Sequence, residues 1–168
     1  MNWETALLHG LLWSLLWSVT IFITVSKWPQ LVAHDYPPEI RQVITLPETS
    51  QKRNAHAFTI GMTLIIIAFV FWSAISTALS APFSFWTILS HLFVILMFWN
   101  VFDLLIWDWL IFCTLQPKFM VLPGSEGHPA YKDYKFHFIG FLKGCGFSAI
   151  GSLFFAAISF AVLKFLIP

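Results

Sequence analysis

Six residues of this chain carry acid–base or metal-ligating chemistry and lie beside or inside apolar runs. His34 and Asp35 open the segment His34-Asp35-Tyr36-Pro37-Pro38-Glu39-Ile40-Arg41. His128 belongs to Gly124-Ser125-Glu126-Gly127-His128-Pro129, and His137 follows Tyr131-Lys132-Asp133-Tyr134. Asp103 and Asp108 interrupt a long apolar stretch. Histidines and carboxylates gathered at one place can move protons or hold a divalent cation. An ionisable group within a membrane span is costly, so it is read as functional by default. No HExxH, CxxC or HxxxH spacing is present, nor a Walker phosphate loop or a GxSxG elbow. The residues therefore predict acid–base or metal chemistry, for example on a lipid headgroup, without naming a metal.

Spacing constrains how the acids can meet. Asn100 and Asp103 are three apart and share a helix face, which Trp107 continues. Asp108 falls about 140° from Asp103 around an α-helix, so a continuing α-helix would point the two carboxylates apart. The bland alternative is a pair of interfacial carboxylates, reaching headgroup water or pairing with Lys143 or Lys118. Polar loops on one membrane face are, by the same token, often no more than solvated.

A second pair is His9 and His91, expected at similar depth on two different helices. Facing each other, they could ligate haem b or a metal. Hydrogen-bonded structural histidines are the default for single histidines on two helices. Trp13 and Trp17 continue the His9 face at four-residue steps and read as packing. Cys113 and Cys145 have no metal or redox spacing and read as two apolar-like thiols.

The elements that position these groups follow from composition. The chain has 168 residues, 58% hydrophobic and 10% charged, with a mean hydropathy of +0.79. Soluble domains carry about 25% charged residues, so a chain this apolar needs a bilayer around it. Nine Trp within an 18% aromatic content fit membrane boundaries. Four apolar runs, about 5–25, 57–79, 83–105 and 136–167, predict an all-α, polytopic four-helix membrane bundle forming a single domain. The first has no basic residue before it and no Ala-x-Ala site after it, so it reads as a retained span rather than a signal peptide. The third run stays apolar to Leu115, too long for one straight crossing. Residues 105–115 are expected either to lie at the interface or to prolong a tilted span. Ser80-Ala81-Pro82 predicts a tight hairpin between the second and third spans. Loops 26–56 and 116–135 are rich in Pro, Gly and charge, with Pro37-Pro38 and Pro47 favouring extended structure and a short helix after Pro38.

Lys27, Arg41, Lys52, Arg53, Lys118, Lys132 and Lys135 all fall in those two loops. The positive-inside bias makes that face cytosolic and both termini extracytosolic, in what is expected to be a bacterial cytoplasmic membrane. The Gly140/Gly144/Ser148/Ser152 stripe of the fourth span allows close helix packing. It is expected to pack within the bundle, with a homo-oligomer or partner-subunit seam as the alternative. The expected surroundings are lipid, and no nucleic acid is anticipated.

Two functional classes follow. One is a membrane enzyme or lipid-binding protein with its site at the cytosolic boundary. The other is a small transporter or an accessory subunit of a membrane complex. The early intramembrane glutamate of small multidrug exporters is missing, as is the Cys-x-x-Cys pair of disulfide-generating quinone enzymes.

Overall fold

Low polarity leaves the backbone to satisfy itself, and the chain does so with helices. The computed structural model describes residues 1–44, 52–80 and 84–166, so Pro47 and the Ala81-Pro82 turn lie outside the described residues. Helix α1 (Trp3–Lys27) starts at Asn2, whose Oδ1 accepts from the Glu4 and Thr5 amides at 3.0 and 3.3 Å. This is the side-chain cap expected of asparagine. Short 3₁₀ turns at Pro29–Leu31 and Ala33–Asp35 lead to helix α2 (Pro38–Val43), which has proline in its first turn. Helix α3 covers Lys52–Ser80, so Lys52, Arg53 and His56 stand on a helix rather than in the expected loop. Helix α4 (Phe85–Phe102) is capped by Ser84 and runs without a break into a π-helix over Asp103–Leu115. Helix α5 (Tyr134–Leu166) begins where Asp133 accepts from the Phe136 amide at 2.9 Å.

The chain is an all-α bundle, without strands among the described residues, and four of its helices are long and apolar enough to cross a membrane. Those four segments are Trp3–Lys27, Arg53–Leu79, Phe85–Leu115 and Tyr134–Phe165. Residues 105–115 therefore continue the third helix without a break. Their ladder is wider than an α-helix: the Gln116 amide donates to Ile111 O at 2.9 Å, a five-residue step. Thr114 Oγ1 makes the same step to Trp109 O at 2.7 Å. Gln116 then ends the helix in the left-handed region at φ 48°.

Helix α4 is central and packs chiefly on α5 and α1. In lipid, apolar burial gives helices little reason to associate, so contact depends on small residues and fitted shapes. Ala6, Ala74, Ala78 and Ala156 are accordingly buried at the interfaces. Gly10 lets α1 approach Phe98, whose Cβ would stand 2.9 Å from a Cβ added there. Trp13, Ile88, Leu92 and Ile95 fill the middle of the bundle. Leu7, Leu64, Phe147 and Phe165 are among the exposed apolar side chains that clothe its outside.

The two polar loops pack together at one end. Tyr36 Oη donates to Met120 O at 2.9 Å, joining the first polar loop to the second. Tyr131 Oη accepts from the Leu122 amide at 2.9 Å and meets Ser125 Oγ at 2.8 Å. Val25, Trp107 and Phe112 from the spans complete this second apolar cluster. The loop-bearing end is thus a folded cap. Burial raises the Tyr36 hydroxyl well above its usual range, with Tyr131 and Asp35 adding to the rise, so it remains a donor.

Candidate functional site

Beneath that cap, α4, its π-helical extension and α5 enclose a cavity of about 480 Å³. Its polar walls come from His34, Asp35, Asn100, Asp103, Asp108, His137 and Lys143. The expectation that Asp103 and Asp108 diverge is corrected here. Both line the same space, because the wider turn of the π-helix brings residues five apart toward one face. The chain thus gathers five of its six candidate acid–base residues in one place.

The sixth, His128, is elsewhere. Its Nδ1 accepts from the Ala130 amide at 3.2 Å and caps the 3₁₀ turn Pro129–Lys132, away from the cavity lining.

Asp108 has a specific partner. Its Oδ1 accepts from His137 Nδ1 at 2.9 Å, with His137 only 6% exposed. Among the described residues no Lys or Arg pairs with it, so the expected Lys143 or Lys118 ion pairs do not form. Phe112 and Phe136 wall the imidazole at centroid distances of 4.6 and 5.3 Å. His137 Nε2 is buried without a partner. The Asp103 carboxyl makes no hydrogen bond or ion pair with any described residue, although Asp103 lines the cavity and its backbone N–H bonds Asn100 O and Trp99 O. His34 and Asp35 stand exposed at the rim, 3.2 Å apart. Desolvation raises the Asp35 carboxyl above its ordinary range; His34 opposes this, the Asp108 charge adds to it, and His137 opposes it.

Asp35, Asp103, Asp108 and His137 also line a smaller space of about 140 Å³ on the α1 side, shared with Tyr36 and Trp107. These four residues therefore form a polar partition between two chambers. Trp107 is held in the inner wall by its Nε1, which donates to Ser18 Oγ at 2.9 Å. Among the described residues, no group of three or more His, Cys, Asp or Glu has metal-holding geometry.

The small-residue stripe of α5 serves this cavity as well as packing. Gly140 lines the cavity, with open space where a Cβ would go. Gly144 makes room for Asn100, whose amide any Cβ there would strike. Asn100 Nδ2 donates to Phe141 O at 3.2 Å and to Cys145 Sγ at 3.4 Å, locking the two helices together. Ser148 and Ser152 are buried. That face is thus largely used within the chain. The cavity role of Gly140 was not legible, because a glycine facing a void and one facing a helix look alike in sequence.

His9 and His91 do meet at the opposite end, with ring centroids 5.4 Å apart and planes at 82°. Ser73 Oγ bridges them, 2.8 Å from His9 Nδ1 and 2.9 Å from His91 Nε2. Thr77 Oγ1 also reaches His91 Nε2 at 2.9 Å. A porphyrin between these rings would have to displace Ser73 and the packing of Phe69 and Trp72. The arrangement fits a hydrogen-bonded network and does not fit haem. Ser73 and Thr77, four apart on one face of the second span, were the missed signal.

Compared with family models, with curated proteins and with solved structures, the chain matches none of them.

Proposed function

We propose that the protein binds, and acts by acid–base chemistry on, the polar end of a membrane-soluble molecule at the cytosolic boundary of the membrane. The observation that carries this reading is the Asp108–His137 contact of 2.9 Å in the wall of a cavity also lined by Asp103 and Asp35. Asp108 accepts from Nδ1 and orients the ring, whose Nε2 is itself buried, so the acid–base groups open to a ligand are carboxyls. Asp103 and Asp35 supply carboxyls able to donate or take up a proton. Access from the membrane is supported by Ile139 and Phe147, which line the cavity and are also 42% and 76% exposed on the apolar exterior.

A transport role finds less support. Between this cavity and the His9–His91 network, the bundle interior is filled by apolar side chains including Trp13, Leu92 and Ile95.

The test is purification in bilayer nanodiscs with mass spectrometry of the small molecules retained. The wild type should enrich or convert a lipid-soluble species, and Asp108→Asn and His137→Gln should lose this while keeping the fold. If no species is retained or converted, and proteoliposomes instead take up a water-soluble solute in an Asp103-dependent way, the reading is overturned.

A further inference from the structure

The same cavity carries an electrostatic signature that narrows its ligand, and the argument rests on the reading above. Three carboxylates, Asp35, Asp103 and Asp108, line it. Lys143 is the single Lys or Arg of the lining, and it forms no ion pair with these acids among the described residues. The imidazoles of His34 and His137 lie beside Asp35 and Asp108, and the Asp103 carboxyl has no partner among the described residues. A phosphate or carboxylate headgroup would meet three carboxyl groups with Lys143 as the one Lys or Arg to pair with, a lining that disfavours it. An ammonium group would meet an unpaired acceptor at Asp103 and two further carboxylates nearby.

The route of entry comes from a different feature. Gly140 leaves the α5 side of the cavity without a side chain, next to the outward-facing Ile139 and Phe147. An apolar tail can therefore remain in lipid while the head turns inward.

We infer that the cavity receives, from the membrane side, an amphiphile whose head carries a primary ammonium group. The ammonium lies among Asp35, Asp103 and Asp108, and the tail leaves past Gly140.

Dicyclohexylcarbodiimide, an apolar reagent that adds to carboxyl groups, reports on this directly. The whole protein in phosphatidylcholine liposomes is labelled, and the modified aspartates are located by peptide mass spectrometry. Asp103 or Asp108 should be modified. Hexadecylamine should slow that modification severalfold, and hexadecyl phosphate and the water-soluble amine spermidine should not. Gly140→Trp should abolish the modification with the fold retained, whereas Gly146→Trp, also at an open position but outside the lining, should leave it unchanged.

Equal protection by hexadecyl phosphate overturns the ammonium assignment and leaves a lipid-facing site standing. Equal protection by spermidine, with no effect of Gly140→Trp, overturns entry from the membrane. Modification only by a water-soluble carbodiimide overturns both this inference and the lipid-facing site.

Discussion

Asp103 and Asp108 line one cavity although they are five residues apart on a continuous helix. On an α-helix the same pair would diverge by about 140°. The π-helical register is therefore what assembles the site. Inserting one alanine after Leu105 puts the pair six apart, about 120° on an α-helix, and should separate the carboxylates. The expected outcome is loss of carbodiimide modification at one of the two aspartates, read by peptide mass spectrometry, with helix content by circular dichroism unchanged.

Asp108 gives a buried imidazole its hydrogen-bond partner. Asp108→Ala leaves His137 Nδ1 unsatisfied next to an already unpartnered Nε2. The loss should be about 1–3 kcal/mol. Asp108→Asn should cost less, because an amide oxygen still accepts. Unfolding in mixed detergent measures both.

Gly144 and Gly140 should respond oppositely to alanine. At Gly144 a Cβ strikes Asn100 and breaks its link to Phe141 and Cys145, at a cost of roughly 1–3 kcal/mol. At Gly140 the Cβ enters open space, and the melting temperature should not fall. Equal effects at the two sites would show that the stripe acts only as a packing surface.

Ser73 satisfies two histidines at once. Ser73→Ala should therefore destabilise more than Thr77→Val, which leaves His91 its Ser73 partner; a loss of about 1–3 kcal/mol is expected for the former. Purified protein should show no Soret band. A band present in the wild type and lost in both His9→Ala and His91→Ala would restore haem ligation.

Asp35 sets a pH dependence. Although its side chain is 66% exposed, its carboxyl binds its proton more tightly than the ordinary value of 3.8 implies, chiefly through desolvation on its cavity side, an effect that solvent screening keeps small. The native state then holds the proton to higher pH than the unfolded state does. Its contribution is fully present below 3.8 and is lost as pH rises through the raised value. Asp35→Asn should remove that decline, so the variant gains relative to wild type as pH increases across the window. Melting temperatures measured across the acid range check this, and parallel curves for the two proteins would contradict it.

The sequence by itself determined the class of this protein. Long apolar runs and scarce charge leave helices as the solution, since each backbone group must bond within its own segment. It also marked Asp103, Asp108, His34, Asp35, His128 and His137 as chemically notable, because ionisable groups are conspicuous in so apolar a chain. It could not determine which of them meet. That depended on the residues per turn after Phe102, since an α-helix separates Asp103 from Asp108 and a wider one joins them. It depended too on Gly140 facing a void while Gly144 faces Asn100, and on Ser73 arriving between His9 and His91. Side-chain type fixes what a residue can do, but helix register and packing against distant segments decide what it faces, and those are tertiary facts.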